Sequence, residues 1–203
     1  MFLSKLSLNP FSTEARRDLS DFYEMKRTLA HAFGEQYEES HVLFRIENCD
    51  NPQILVQSQI KPNWDYLKSR DNGQYLLKQV DTKEWEEVDF SEGDVFAFKL
   101  RANPTNNMDK KKIGIFDEEK QLEWIKDRRA ATHDFKVIQV NITPEDIQKG
   151  KKFTGKPISI YTVVFSGYLQ VIDKKKFKDA FLNGIGRSKR FGCGMLSLAK
   201  RKH

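Results

Sequence analysis

VLFRIENCDNPQILVQSQI, residues 42–60, holds two runs of β-branched and large apolar residues around a turn rich in Asn, Asp and Pro. Asn48, Asp50, Asn51 and Pro52 supply the turn chemistry, so residues 42–47 and 54–60 read as the two strands of a hairpin. Toward the N-terminus, residues 21–35 place Phe22, Met25, Leu29, Ala32 and Phe33 on one face at about 100° per residue, with Asp21 as the N-cap and Gly34 at the stop. That pattern predicts an amphipathic helix whose apolar face is core. Residues 2–8 alternate apolar and polar positions as a strand does, and Asn9-Pro10 ends them. On the other side of the hairpin, residues 64–67 read as a short helical turn and residues 74–80 as a further strand. The first half therefore reads β-α-β-β-(α)-β.

The second half repeats that order. Residues 94–102 alternate Phe96, Phe98 and Leu100 with Val95, Ala97, Lys99 and Arg101, which predicts a strand. A helix follows over 117–129, with Leu122, Trp124 and Ile125 inward, then strands over 136–142 and 157–172. Between those strands lies a Gly/Lys tongue, residues 148–156. Residues 174–183 read as a helix with Phe177, Ala180, Phe181 and Leu182 inward, Gly184 sits where a C-terminal cap belongs, and residues 195–199 close with a strand. The fold class is α+β: two tandem ferredoxin-like (RRM-like) β-α-β-β-α-β domains, residues 1–91 and 92–203.

Composition narrows the function. Leu, Ile, Val and Phe make up 54 of the 203 residues, enough for a core. No apolar run approaches the roughly 18 residues of a membrane span, and the first residues lack a signal-peptide apolar stretch, so a cytoplasmic protein with no membrane partner is expected. Cys49 and Cys193 supply no C-x-x-C, and the four histidines no H-x-x-x-H, so no metal site and no cofactor is expected. Net charge is +6 but unevenly spread: residues 1–98 carry 11 basic and 18 acidic side chains, residues 99–203 carry 24 and 11. A half at +13 is the footprint expected for a polyanion, although unrelated solvated loops give the same count.

Two segments could carry chemistry. On the first helix Tyr23, Lys26, Arg27 and His31 share a polar face, a phenol, an amine, a guanidinium and an imidazole. Breaking a phosphodiester without metal needs one group to take a proton from a ribose 2′-OH, another to protonate the leaving 5′-oxygen, and cations on the pentavalent phosphorane. An imidazole, with an ordinary pKa near 6.5, serves either proton step. On the wheel alone, an ordinary amphipathic helix with a solvated outer face is the favoured reading. The second segment, residues 183–194, sets Gly184, Gly186, Gly192 and Gly194 among Arg187, Ser188, Lys189 and Arg190, where glycines bring backbone N–H groups near phosphate oxygens and the cations add charged donors.

The tail GIGRSKRFGCGMLSLA resembles the glycine-rich signature of the repeat-associated RNA-binding (RAMP) proteins. FKLRANPT (residues 98–105), MFLSKLSLNP, ARRDLSDFYEMKRTL and FSGYLQVID resemble its CasE branch, the CRISPR repeat endoribonucleases. The resemblance spans the chain with its motifs in order. It implies metal-independent cleavage of CRISPR precursor RNA at the base of repeat hairpins, leaving a 2′,3′-cyclic phosphate and a 5′-OH, and retention of the product as a Cascade subunit. In that branch a Tyr and a His one helical turn apart move the protons; Tyr23 matches the first and Lys26 stands at the second, while His31 stands where some relatives carry an accessory Lys. Two readings follow. Either Tyr23, Lys26 and His31 form an exchanged catalytic set, or Lys26 leaves a catalytically impaired subunit that binds the crRNA hairpin. The tongue with Lys149, Lys151, Lys152 and Lys156 matches the branch's basic hairpin that grips the repeat stem, and Arg27 joins these RNA contacts.

Overall fold

The computed structural model describes residues 1–47, 51–108, 111–145, 147–151 and 157–200. Along the chain run β1 (Phe2–Ser7), α1 (Thr13–Ser20), α2 (Phe22–His31), β2 (Leu43–Glu47), β3 (Gln53–Ser58) and β4 (Asp81–Glu84). Then come β5 (Val95–Ala102), the hairpin β6 (Thr105–Met108) and β7 (Lys111–Gly114), α3 (Glu118–Glu123), a π-helical segment Trp124–Arg129, and α4 (Ala130–His133). The chain closes with β8 (Phe135–Pro144), β9 (Gln148–Lys151), β10 (Pro157–Ile160), β11 (Val163–Val171), α5 (Lys174–Asn183) and β12 (Leu196–Lys200).

Two four-stranded antiparallel sheets organise these elements, one ordered β2-β3-β1-β4 and the other β12-β5-β11-β8. Counted from its own first strand, each sheet has the order 4-1-3-2, with a helical connection from the first strand to the second, so the fold is tandem ferredoxin-like. The chain divides into two compact units: residues 1–87 with 148–159 and 190–192, and residues 88–147 with 160–189 and 193–203. Among the described residues no helix is long and apolar enough to cross a membrane.

In the first unit the β2–β3 hairpin pairs from Leu43↔Gln57 to Glu47↔Gln53, and β3 then pairs with β1. Leu6, Leu8, Met25, Leu29, Phe44, Ile54, Val56 and Leu67 fill the core beneath that sheet. The α2 face expected from periodicity, Phe22, Met25, Leu29, Ala32 and Phe33, is buried throughout. Asp21 caps α2 by accepting from the Tyr23 amide at 2.8 Å. The helical turn expected at 64–67 is the 3-10 turn Asp65–Lys68.

Sequence periodicity misses α1, whose side toward the protein is Ala15 and Asp18 instead of an apolar stripe. It also misplaces the last strand of this unit. Residues 74–80 touch the sheet through one bridge, Leu8↔Leu76, and the edge strand is β4, four exposed polar residues paired with β1. Tyr75 is buried and donates to Asp18 at 2.9 Å, which draws its segment off the sheet. An exposed edge strand of charged residues carries no hydrophobic alternation to read.

In the second unit Phe96, Phe98, Leu100, Trp124, Phe165, Leu169, Phe177 and Phe181 are buried, while Leu182 is half-buried. The strand expected over 157–172 is broken at Tyr161 and Thr162. The buried Thr162 hydroxyl donates to Glu145 at 2.8 Å, and Arg101 closes the group by ion-pairing with the same carboxylate. The helix expected over 117–129 begins at its Asp117 cap but passes through the π-helical segment and ends at His133. The β6–β7 hairpin, rich in Asn and Lys, has no counterpart in the sequence reading. Cys193 is fully buried, and burial pushes its thiol up to about 12. Gly167 is required by close approach to β8: a Cβ there would lie 2.0 Å from the Gln139 carbonyl oxygen. Gly167→Ala is expected to cost about 3 kcal/mol in urea unfolding, since neither backbone can move without breaking the β11–β8 ladder; a loss below about 0.5 kcal/mol would show that the ladder yields.

Candidate functional site

The N-cap at Asp21 starts α2 so that its apolar stripe faces the sheet and Tyr23, Lys26, Arg27 and His31 face outward. Tyr23 lies in an aromatic group: its ring centroid is 4.8 Å from that of Phe191 and 5.2 Å from that of Phe22, and Phe22 and Phe191 are 4.5 Å apart. Lys26, one turn on, holds its ammonium 5.6 Å from the centre of the Tyr37 ring. Burial pushes the Tyr37 phenol up, while nearby Arg190 works in the opposite direction. Arg190 itself pairs with Glu38. Tyr23, Lys26, Tyr37, Arg190 and Phe191 thus form one phenol-and-cation surface within the first unit.

His31 belongs to the opposite flank. It lies eight residues beyond Tyr23, roughly 12 Å along the helix axis, and its exposed ring packs 5.8 Å from that of Tyr66. The structure therefore brings Tyr23 and Lys26 together and sets His31 apart with Tyr66. Arg27 is exposed and engaged with Glu24, an i,i+3 surface pair of the kind that contributes little and exchanges readily for a phosphate.

The hairpin of β9 and β10 begins beside this surface. Gly150 is buried against Phe22, where a Cβ would come within 2.7 Å of the ring. That contact sets exposed Lys149 beside the start of α2; Lys151 lies in β9, and Lys152 and Lys156 fall outside the described residues.

In the glycine-rich segment, Gly184 caps α5 with its N–H on the Ala180 carbonyl at 2.8 Å, and Gly194 donates to the Arg101 carbonyl at 2.7 Å while accepting from Ile185 at 2.9 Å. These N–H groups close the loop and are not presented to a ligand. Gly192 is buried as well, and Gly186 backs onto the Trp124 indole. What the segment presents is Arg187, exposed, with Ser188 held by Asn103 at 2.8 Å and Lys189 half-buried. Tyr37 and Phe191 escaped sequence reasoning; Phe191, an aromatic residue inside a run of cations, was the one available signal.

Among the described residues no cluster of three or more His, Cys, Asp or Glu side chains could hold a metal ion. Two sheets of one strand order and a helix that presents a phenol and an ammonium side by side define a tandem ferredoxin-like protein with a surface suited to a phosphodiester. Residues 1–200 match the family model described as CRISPR associated protein. The CRISPR-associated endoribonuclease Cse3 of Thermus thermophilus is 31% identical over 98% of this chain and 100% of its own length. The Cascade subunit CasE of Escherichia coli K12 is 28% identical over 98% and 99%. A solved structure of the CRISPR endoribonuclease Cse3 bound to a 19-nucleotide RNA superposes with a TM-score of 0.87 at 30% identity, covering 98% of this chain and 100% of that one. The chain belongs to this family of CRISPR-associated proteins.

Proposed function

We propose that the protein is a CRISPR repeat endoribonuclease that cuts precursor RNA at the base of each repeat hairpin without a metal ion, acts in the cytoplasm, and stays on the mature crRNA as a Cascade subunit. In the cut, a ribose 2′-oxygen bonds to the adjacent phosphorus and the bond to the 5′-oxygen breaks. The 2′-OH gives up its proton to solvent water and the leaving oxygen gains one from Lys26, which solvent reprotonates, so the products are a 2′,3′-cyclic phosphate and a 5′-OH. The reading is carried by Tyr23 and Lys26 side by side on the open face of α2, in a chain related to an RNA-bound endoribonuclease and to a Cascade subunit. The Lys26 ammonium stabilises the phosphorane and protonates the leaving oxygen. Tyr23, held by Phe22 and Phe191, orients the ribose. Arg27, Arg187, Ser188, Lys189, Arg190 and the lysines 149, 151, 152 and 156 bind stem phosphates, A-form RNA being read chiefly through shape and backbone.

His31 would take the 2′-OH proton only from an RNA that follows α2 across both turns. Its position on the flank opposite Lys26 favours a second reading, a hairpin-binding subunit impaired in cleavage. Incubation with repeat hairpin RNA in excess EDTA separates the two. Cleavage to a cyclic-phosphate end, slowed less than about tenfold in His31→Ala, is expected. Abolition of cleavage in His31→Ala would return the base role to His31. Tight binding without cleavage, with cutting restored by Lys26→His, would establish the impaired subunit instead.

A further inference from the structure

In the second unit Arg129 lies over an indole, and His133, Lys189 and Arg187 are its basic neighbours. The Arg129 guanidinium lies 4.8 Å from the centre of the Trp124 ring, at the end of the π-helical segment, a local geometry that recurs at functional sites. His133 follows one turn later at the end of α4. Lys189 and Arg187 come from the glycine-rich segment, which reaches Trp124 through Gly186, where a Cβ would sit 3.1 Å from the ring.

These groups act on one another. Burial and the neighbouring Arg128 and Arg187 pull the Arg129 guanidinium down; burial, Arg129 and Lys189 pull His133 down against Asp179; burial pulls Lys189 down, opposed by Asp179 and aided by Arg129. His133 is faced by Arg129 from its own helical run, by Lys189 from the loop and by Asp179 from α5. Asp179 is the one acid among these influences, and it already accepts from Asn183 at 2.7 Å. Among the described residues Arg129, Arg187 and Lys189 make no ion pair, and the buried Arg129 Nε and Trp124 Nε1 have no hydrogen-bond partner. Half-buried cations that repel one another and share a single acid are stabilised by an anion set among them.

We infer that Arg129, His133 and Lys189, with Arg187 at the rim, form a phosphate-binding site in the second unit that takes a backbone phosphodiester of the bound RNA. The assignment of RNA as the source rests on the function proposed above; the anion site does not. A phosphate there favours the charged imidazole, so it raises the His133 midpoint, and affinity at this site grows as pH falls through that midpoint.

The test follows the His133 ring by NMR, its signals assigned by their loss in His133→Gln. Titration of the full chain with inorganic phosphate is expected to shift those signals and raise the midpoint in the wild type and to do neither in Arg129→Gln. Arg187→Gln, at an exposed position, gives a weakened response should Arg129→Gln fail to fold. A flat wild-type response overturns the site. Repeat hairpin RNA is expected to produce the same shift at stoichiometric concentration, and Arg129→Gln to weaken hairpin affinity roughly tenfold while flattening the slope of log K against log salt by about 1. Hairpin RNA that binds yet leaves His133 unmoved removes RNA as the ligand. Failure of the wild type to bind the hairpin at all brings down the endoribonuclease reading and the RNA assignment together, while the phosphate arm still decides the site.

Discussion

Lys26→Ala lowers the single-turnover rate of hairpin cleavage on the order of 10²–10³-fold while moving the RNA dissociation constant less than about tenfold. A phosphodiester already carries its charge in the ground state, so one surface ammonium adds little to binding. In the phosphorane a second charge develops, and the same ammonium, beside Tyr23 and over Tyr37, then meets a larger and closer negative charge. The loss therefore appears in the rate and not in the affinity. Lys26→His should raise the rate above the wild type near neutral pH, because an imidazole at that place both takes and gives a proton. Wild-type cleavage by Lys26→Ala in EDTA would remove Lys26 from the reaction.

The elements legible in the sequence were those whose burial follows a period. The α2 stripe from Phe22 to Phe33 faces the core as its spacing requires, and β5 buries Phe96, Phe98 and Leu100. What escaped was held by polar groups. α1 is fixed through a buried carboxylate, and β4 is an exposed edge of Asp, Thr, Lys and Glu, so neither carries a hydrophobic signal. The candidate site was legible to the same extent. The helical wheel found the face shared by Tyr23, Lys26, Arg27 and His31, but an angle about the axis says nothing of the rise along it. Nor does it reveal that Tyr37 and Phe191, distant in sequence, pack on one flank while Tyr66 takes the other. By sequence the glycines read as phosphate cradles because of their freedom; in the fold the N–H groups of Gly184 and Gly194 are spent on closing the loop.

Asp18→Ala is expected to destabilise the protein by about 3–5 kcal/mol, a lower urea midpoint with little change in slope. The carboxylate is wholly buried and accepts from Thr28 Oγ1 at 2.6 Å, Arg70 Nη2 at 2.9 Å, the Tyr75 hydroxyl at 2.9 Å and Arg17 Nη2 at 3.1 Å. Removing it strands a buried phenol and leaves the half-buried Arg70 guanidinium with Glu14 as its remaining acid at 2.7 Å, and leaving a buried group unpaired costs more than the pair itself contributes. Asp18→Asn keeps the shape and one acceptor, so it should cost about 1–3 kcal/mol. The effect reaches the candidate site, because Thr28 and its carbonyl, which accepts from the Tyr66 hydroxyl at 2.6 Å, lie on α2 between Lys26 and His31. Cleavage should therefore fall in Asp18→Asn under conditions where it remains folded. Burial first, and then Asp18, raises the Tyr75 phenol above its ordinary pKa of about 10, and burial raises that of Tyr66. A raised phenol contributes stability that is complete below that ordinary value and is lost as pH climbs beyond it. The wild type should thus lose stability above about pH 10, and Tyr75→Phe should lose less over the same range. A loss below about 1 kcal/mol in Asp18→Ala would mean that α1 and α2 are held by packing alone.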